Sequence, residues 1–439
     1  MNGIRRSIAS AALALLAAPA AAPAQIGNPL PQSVAMGGNY IALARGFGAV
    51  AWNPAGLGMP DNPRFSLSLL PLTATAGLDP VTAADFAAYD GQIIPESVKR
   101  EWLALIQGEG GESGNLGGDL TYLAFSIGRV AIQASSNVRA RVNVAPDVAE
   151  VLLFGNAGYT GTPRSYDLEG STFDLAGTSA VAASVAIPLS FHPGPMPDQH
   201  FAIGATVKVV MGNFLVLGQE DGSRITSDPP GGEVHFPMVH TALPDDSTDF
   251  QPGRSLDNGL GFGLDLGAAW EGGIFSAGVV VRNVINTFEW DLGKLRYRRG
   301  VATWTADSSY TSFEEVPVEE APRAVLERIH DLYEFSPVLA VGAAARILPV
   351  LTLTGEVRHA VKDNLEVGAR NHAGVGAELT ILPIVPLRAG VALISGGYQL
   401  SGGLGVKLGP MQLSASGAVR EAELGRDVVA AFGLGYGVR

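Results

Sequence analysis

Apolar residues alternate with small or polar residues along much of the chain. Over residues 258–270 every even position from Leu260 to Trp270 is apolar, and the odd positions carry glycine, alanine and the carboxylate of Asp265. Successive side chains of a β-strand point to opposite faces, so this segment predicts a strand with one apolar and one polar or open face. The same period recurs at 201–209, 351–358, 372–381, 411–420 and 430–439. Strands with one face toward lipid and one toward a lumen have this pattern.

Turn-forming residues separate these segments at short intervals toward the C-terminus, for example at Leu348-Pro349 and Gly409-Pro410. Hydrocarbon admits only structures whose backbone polar groups are all bonded, so lipid-facing strands must close into a barrel. The chain is therefore predicted to be all-β, a transmembrane antiparallel up-and-down β-barrel of about 14 strands. We assign it to residues 64–439, with a first strand that begins at Phe65.

Two segments break the alternation and have the spacing of short amphipathic helices. They lie near 80–107 and 318–335, where we expect helical insertions in the long loops at one rim of the barrel. The stretches 218–254 and 291–318 are polar and rich in proline or charge, and we interpret them as loops of the same rim. No second domain is predicted.

The first 24 residues have the features of a secretory signal peptide. Arg5 and Arg6 precede an apolar run at 8–18, and Ala22-Pro23-Ala24 offers small residues for cleavage before Gln25. The apolar run is too short for a permanent transmembrane helix, and no later window holds the roughly 20 apolar residues that such a helix needs. We therefore expect an exported protein of the outer membrane of a diderm bacterium.

Composition narrows the possible functions. The net charge of −13 argues against nucleic acid as a partner. Without cysteine the chain has no disulfide framework and no thiolate nucleophile. Glycine is unusually frequent, with 56 residues, and charged residues make up only 16% of the chain, against about 25% in soluble domains.

An irregular, glycine-rich segment precedes the predicted barrel. Residues 36–57 read MGGNYIALARGFGAVAWNPAGL, and proline after Asn53 disfavours helical backbone there. At membrane depth, irregular backbone is tolerated only inside protein or in a lumen, so we predict that residues 25–63 form a plug. The residues assigned to this hatch and its gating are Gly37, Gly38, Trp52, Asn53, Pro54, Ala55, Gly56 and Leu57.

This motif resembles the N-terminal hatch of FadL-type barrels, the long-chain fatty acid transporter family, and of the related PorV-like proteins. PLRAG and GGLGVKLGP, within 386–411, are similar to the closing strands of PorV-like members. The resemblance implies a hatch-closed channel for passive uptake of hydrophobic compounds such as long-chain fatty acids. The alternative is a PorV-like barrel that serves protein secretion or surface attachment and transports no small molecule. The terminal Arg439 departs from the aromatic residue with which many such barrels end.

Two sets of residues are candidates for ligand contact. Inward-facing cations could hold a ligand carboxylate, or could instead form ion pairs with Asp265, Glu356 and Glu378; these cations are Lys208, Arg358, Arg388 and Lys407. Apolar residues of the rim helices could collect a hydrophobic ligand, or could only pack on neighbouring loops; they are Phe86, Tyr89, Trp102, Leu105, Leu332 and Tyr333. For the Asn53 motif, the alternative to gating is a turn that only seats the N-terminus.

Enzymatic and cofactor chemistry find no support in the sequence. No Gly-x-Ser-x-Gly elbow is present, and the GGLG and GLGFG runs lack the spacing of a nucleotide-binding loop. His235 and His240 lie near Asp245, Asp246 and Asp249, a spacing that we interpret as solvated loop charge and not as a metal site. The expected partners are membrane lipid and a hydrophobic small molecule, with exported proteins as partners under the PorV-like alternative. No cofactor, metal or nucleic acid is expected.

Overall fold

Fourteen long strands form one closed antiparallel barrel. The computed structural model describes residues 30–155, 157–162, 164–189, 198–241, 257–333, 335–361, 370–422 and 425–438. The barrel strands are β1 Phe65–Asp79, β2 Glu112–Ile127, β3 Val130–Val144, β4 Thr172–Leu189, β5 Gln199–Gln219, β6 Gly259–Gly272, β7 Phe275–Asn286, β8 Val338–Leu348, β9 Leu351–Ala360, β10 Asn371–Leu382, β11 Val385–Ile394, β12 Gly397–Leu408, β13 Met411–Ala422 and β14 Gly425–Val438. Each strand pairs with the next, and β14 pairs with β1. The predicted fold class and strand number are confirmed.

The period of two in the sequence corresponds to the two faces of the barrel. In β6 the side chain of Leu260 is 58% exposed, whereas that of Asp265 is 4% exposed. In β9 the same contrast separates exposed Val357 from buried Glu356. Large apolar side chains therefore cover the outside of the barrel, and glycine with polar groups covers the inside.

The barrel has a short-turn end and a long-loop end. Tight turns join β2 to β3, β6 to β7, β8 to β9, β10 to β11 and β12 to β13 at the short-turn end, where β1 also begins. At the opposite end long connections join β1 to β2, β3 to β4, β5 to β6 and β7 to β8, whereas a two-residue turn joins β11 to β12. The predicted signal peptide, residues 1–24, lies outside the described residues.

Residues 30–64, called the N-terminal segment below, pack against the inward face. The segment contains the helix α1 Pro31–Ala35 and the 3-10 helices Gly46–Ala49 and Pro54–Gly58. Glycines of the wall make room for it: a Cβ added at Gly204 would lie 2.4 Å from the backbone nitrogen of Ala55. Glycine at such wall positions thus has a steric cause, because the wall approaches the backbone of the segment directly.

The long-loop end carries four further helices, α2 Ala83–Ala87, α3 Glu96–Glu109, α4 Pro146–Phe154 and α5 Arg323–Tyr333. Three of them lie in the two segments with predicted helical spacing. Helix α4 was not predicted, because nine mostly apolar residues are too few to distinguish a helix from a buried strand by periodicity. Among the residues described, no helix is both long enough and apolar enough to cross a bilayer.

The stretches 218–254 and 291–318 lie almost wholly in the connections between β5 and β6 and between β7 and β8, as expected for rim loops, but their described residues also form strands that were not predicted. These stretches contain strands Arg224–Ser227, Pro230–Val234, Met238–Thr241, Leu295–Thr305 and Ser309–Pro317, followed by the start of a 3-10 helix, Val318–Glu320. Almost every side chain of Ser309–Pro317 is exposed, so its sequence has no apolar face from which a strand could be recognised. Two shorter strands, Ser165–Asp167 and Glu289–Trp290, and the 3-10 helix Leu292–Lys294 complete the rim.

Candidate functional site

Asn53 uses both ends of its side-chain amide, one within the N-terminal segment and one to bind the barrel wall. Its Oδ1 accepts a hydrogen bond from the backbone N–H of Ala55 at 3.1 Å, which caps the 3-10 helix. Its Nδ2 donates to the carbonyl of Ala268 in β6 at 3.1 Å. A Cβ at Gly267 would lie 2.3 Å from Oδ1 of Asn53, so the contact depends on glycine at that position. The side chain of Asn53 is therefore both a helix cap and a tether to the wall.

The rest of the Asn53 motif is buried behind this tether. Pro54, Ala55 and Leu57 are buried, and a Cβ at Gly56 would lie 2.0 Å from the carbonyl oxygen of Ala44. Leu57 belongs to an apolar cluster with inward-facing alanines of β3 and β4, which are Ala131, Ala182 and Ala186. The motif therefore fills space between the segment and the wall.

Glu356 of β9 holds the backbone of the segment from the other side. Its Oε2 accepts hydrogen bonds from the N–H groups of Tyr40 at 2.9 Å and Ile41 at 3.1 Å. The side chain of Glu356 is 1% exposed, and its Oε1 lies 3.8 Å from Nε of Arg358. Buried carboxylate bonds to N–H groups are charge-assisted, so this is among the stronger polar contacts of the segment.

Gly37 and Gly38 turn the segment beside this carboxylate. Both have left-handed backbone, with φ of 71° and 82°, which glycine adopts without strain. A Cβ on Gly38 would lie 3.2 Å from Nη2 of Arg358. The next residue, Asn39, places its Oδ1 3.2 Å from Nε2 of His372.

Trp52 lies beside two guanidinium groups of the wall. The Cζ atoms of Arg282 and Arg358 are 5.4 Å and 5.8 Å from the centroid of its ring. Each contact has cation–π geometry, worth roughly 0.5–2 kcal/mol depending on burial. Arg282 was not predicted as a site residue. The available signal was that Arg282 is the only charged residue of β7.

All four predicted ligand-binding cations have an acidic neighbour. Nζ of Lys208 is 2.7 Å from Asp265, and Nε of Arg388 is 2.7 Å from Glu378. Glu378 also lies 4.0 Å from Nζ of Lys407, and Arg358 has Glu356 as its neighbour. In the described structure these cations thus form ion pairs within the wall.

The predicted rim site divides into two places. Phe86, Tyr89, Trp102 and Leu105 come together on the loop between β1 and β2, where the ring centroids of Phe86 and Tyr89 are 4.9 Å and 5.9 Å from that of Trp102. Leu332 packs instead in an apolar cluster between α5 and inward-facing residues of β4 and β5. The side chain of Tyr333 lies outside the described residues.

The acidic residue Glu112 supports the loop that carries this aromatic group. Its Oε2 accepts a hydrogen bond from the N–H of Val81 at 3.2 Å. Burial raises the pKa of Glu112 to about 7; the Val81 bond opposes that rise, and Asp79 and Asp85 add to it. A strand needs only about 9–11 residues to cross a membrane, so Glu112, at the long-loop end of the 16-residue β2, lies beyond the crossing part.

The loop is therefore expected to loosen as pH rises. Because the folded loop raises the pKa of Glu112, the loop binds the proton more tightly than the opened chain does, and its stability falls between about pH 4.5 and 7. We expect E112Q to increase the hydrogen-exchange protection factors of residues 83–109 at pH 8 and to leave them nearly unchanged at pH 5. E109Q, at an exposed position of α3, is the control. Equal effects of E112Q at both pH values would contradict the assignment.

Among the described residues, each histidine considered for metal binding forms an ion pair with one carboxylate. His235 lies 2.8 Å from Glu233, and His240 lies 3.6 Å from Glu315. Across the described ranges, no group of three or more metal-ligating side chains is found. Asp245, Asp246 and Asp249 lie outside those ranges.

Fold and site together define a closed antiparallel β-barrel with an apolar exterior and an N-terminal segment packed on its inward face. The sequence profile described as "Family of unknown function (DUF5723)" matches residues 59–374. The protein belongs to this family. No curated protein matches the chain.

Solved structures show the same fold. The Ralstonia pickettii toluene transporter TbuX is 14% identical, with a TM-score of 0.50 over 94% of this chain and 99% of that chain. The P. putida toluene transporter TodX is 13% identical, with a TM-score of 0.50 over 93% and 98%. A Pseudomonas aeruginosa FadL homologue is 11% identical, with a TM-score of 0.47 over 96% and 100%. The FadL-like architecture implied by the N-terminal motif is thus confirmed at the level of the fold.

Proposed function

We propose that the protein is an outer-membrane channel for passive uptake of hydrophobic compounds, and that residues 25–63 are its hatch. The observation that carries this proposal is the close fit of the N-terminal segment to the inward face of a barrel whose outside is apolar. Asn53 and Glu356 hold the segment to β6 and β9. A channel closed in this way opens only when the segment moves.

The exterior supports a membrane location. Leu260, Val357 and Ile381 are each more than half exposed, and many large apolar side chains on other strands are also exposed. An apolar belt of this extent on a closed barrel is stable in lipid and unfavourable in water. Together with the predicted signal peptide, residues 1–24, it favours the outer membrane of a diderm bacterium.

For the substrate we favour an uncharged or weakly polar hydrophobic molecule over a long-chain fatty acid. TbuX and TodX are named as toluene transporters, and this chain shares their fold. The predicted partners for a fatty acid carboxylate, such as Lys208 and Arg388, already face Asp265 and Glu378. Displacing a buried carboxylate from such a pair would be costly.

Movement of such a compound through the channel down its concentration gradient needs no energy source. The segment is held to the wall along its whole length by hydrogen bonds, each worth about 0.5–1.5 kcal/mol net, by the ion pair of Arg45 with Glu271 and by apolar packing, so a ligand is expected to displace part of the segment and not all of it. Ligand that accumulates at the rim could shift the segment by preferring its displaced state, as any ligand shifts an equilibrium toward the state that it binds better.

Uptake of radiolabelled toluene by cells with an intact lipopolysaccharide layer tests the proposal. Cells with the protein in the outer membrane are expected to show a higher initial uptake rate than cells with an empty vector. Folded protein in that membrane with no gain in uptake would overturn it. Co-purification with secreted proteins in that case would favour the PorV-like alternative.

A further inference from the structure

A cavity of about 270 Å³ opens between α2 and α3 on the loop that joins β1 to β2. It is lined by Asp85, Ala88, Tyr89, Val98, Glu101, Trp102 and Leu105. Ligand pockets for drug-sized molecules are usually about 300–1,000 Å³. The cavity is thus suited to a single ring or to the end group of a longer molecule.

An aromatic wall forms one side of this cavity. Trp102 is only 5% exposed and is fixed by contacts with Val81, Ile106 and Ala149. The ring of Tyr89 meets it edge-on, with an interplanar angle of 76°. Trp102 thus contributes an apolar edge, and the partly exposed Tyr89 contributes the negative ring face that attracts a cation.

The charged residues in the lining are both acidic. Glu101 makes no ion pair among the described residues. Asp85 accepts hydrogen bonds from the backbone N–H and the hydroxyl of Thr82, at 2.8 Å and 2.6 Å. These bonds hold the pKa of Asp85 below its usual value, so the carboxylate stays ionised at neutral pH.

The basic residues near the cavity are engaged elsewhere. Nζ of Lys99 donates to the carbonyl of Leu153 at 2.8 Å. Arg100 pairs with Glu96 on the exposed side of α3. Arg426, whose charge reaches Asp85, lies 3.4 Å from Glu421. No lysine or arginine therefore lines the cavity.

We propose that this cavity is a binding site for hydrophobic cations, namely aromatic or alkyl ammonium groups, and that it disfavours carboxylates of the same size. The assignment goes beyond the proposed function, because the cavity lies on the loop between β1 and β2, outside the lumen, and takes a different class of ligand from the uncharged compounds proposed for the channel. The aromatic wall attracts the cation and its apolar substituents, and the two carboxylates add Coulomb attraction that an anion would meet as repulsion.

Calorimetric titration of the full chain in micelles of an uncharged maltoside detergent, which contains no ammonium group, tests this, with empty micelles as the blank. The probes are benzyltrimethylammonium, its uncharged carbon analogue neopentylbenzene, and phenylacetate. We expect the ammonium to bind about tenfold or more tighter than phenylacetate, with a preference that weakens at high salt. Equal affinities for the ammonium and phenylacetate would overturn the proposal.

Three variants locate the binding site. E101Q is expected to weaken ammonium binding by about fivefold and to leave neopentylbenzene binding unchanged. E109Q removes the same charge from the same helix outside the cavity and is expected to change neither. W102L is expected to weaken the binding of both benzyltrimethylammonium and neopentylbenzene. If E101Q bound the ammonium with the same affinity as E109Q, the assignment of the binding site to this cavity would be wrong.

The outcomes separate this inference from the proposed function. Toluene uptake without ammonium preference would leave the channel standing and remove the cation site. Ammonium binding that E101Q weakens, in a protein that does not raise toluene uptake, would retain the site and remove the channel.

Discussion

Oxidation of an I41C/G342C double variant is expected to reduce uptake to the level of cells without the protein, and reduction is expected to restore it. A Cβ added at Gly342 of β8 would lie 3.3 Å from Cβ of Ile41 in the N-terminal segment. Disulfides join Cβ atoms about 3.5–4.5 Å apart, so a small adjustment allows the bond. The chain has no cysteine of its own, and the crosslink is therefore unambiguous.

Toluene uptake before and after reductant is the measurement, with the crosslinked fraction determined by mass spectrometry. The single variants I41C and G342C, treated with the same oxidant, show whether either substitution alone affects transport. Fully crosslinked protein that transports at the rate of the single variants would mean that the segment need not move from β8 during passage.

Replacing Asp265 by alanine is expected to cost about 3–5 kcal/mol of unfolding free energy, the usual cost of removing one partner of a buried ion pair. Lys208 is 1% exposed, and its Nζ contacts both carboxylate oxygens of Asp265, at 2.7 Å and 2.9 Å, and Oδ1 of Asn283 at 2.8 Å. The D265A variant would leave this ammonium group buried without its counter-charge. Urea unfolding in lipid vesicles measures the loss.

Two controls show whether the loss comes from the stranded charge. K208M/D265L removes both charges and is expected to recover much of the stability, because an apolar pair of similar volume carries no desolvation cost. E327Q breaks an exposed ion pair, in which the side chain of Arg323 is 91% exposed and that of Glu327 is 59% exposed. This variant is expected to change the free energy of unfolding by less than about 0.5 kcal/mol. A D265A variant as stable as E327Q would show that water reaches Lys208.

The barrel could be predicted because the parity of residues is a local property. Leu260 and Asp265 differ in parity, and this alone places them on opposite faces once the segment is a strand. The start of the first strand at Phe65 could be predicted for the same reason, since it follows the last irregular residues. No knowledge of neighbouring strands was needed.

The contacts across the lumen could not be predicted from parity. The approach of Arg282 and Arg358 to Trp52 depends on how β7 and β9 are staggered and on where the N-terminal segment lies between them. Likewise, parity alone does not show that Leu332 packs toward β4 and β5 while Phe86 meets Trp102. Such contacts depend on the whole closed structure, whereas the alternation is visible in a dozen residues.

Glycines late in the sequence make room for a segment near its beginning. A Cβ at Gly376 or Gly390 would come within 2.6 Å or 2.2 Å of backbone atoms of Met36, and backbone cannot rotate aside as a side chain can. Replacing either glycine by alanine would therefore push the backbone at Met36 away from the barrel wall. Substitutions at these glycines and changes in the backbone near Met36 therefore constrain each other, although more than three hundred codons separate them.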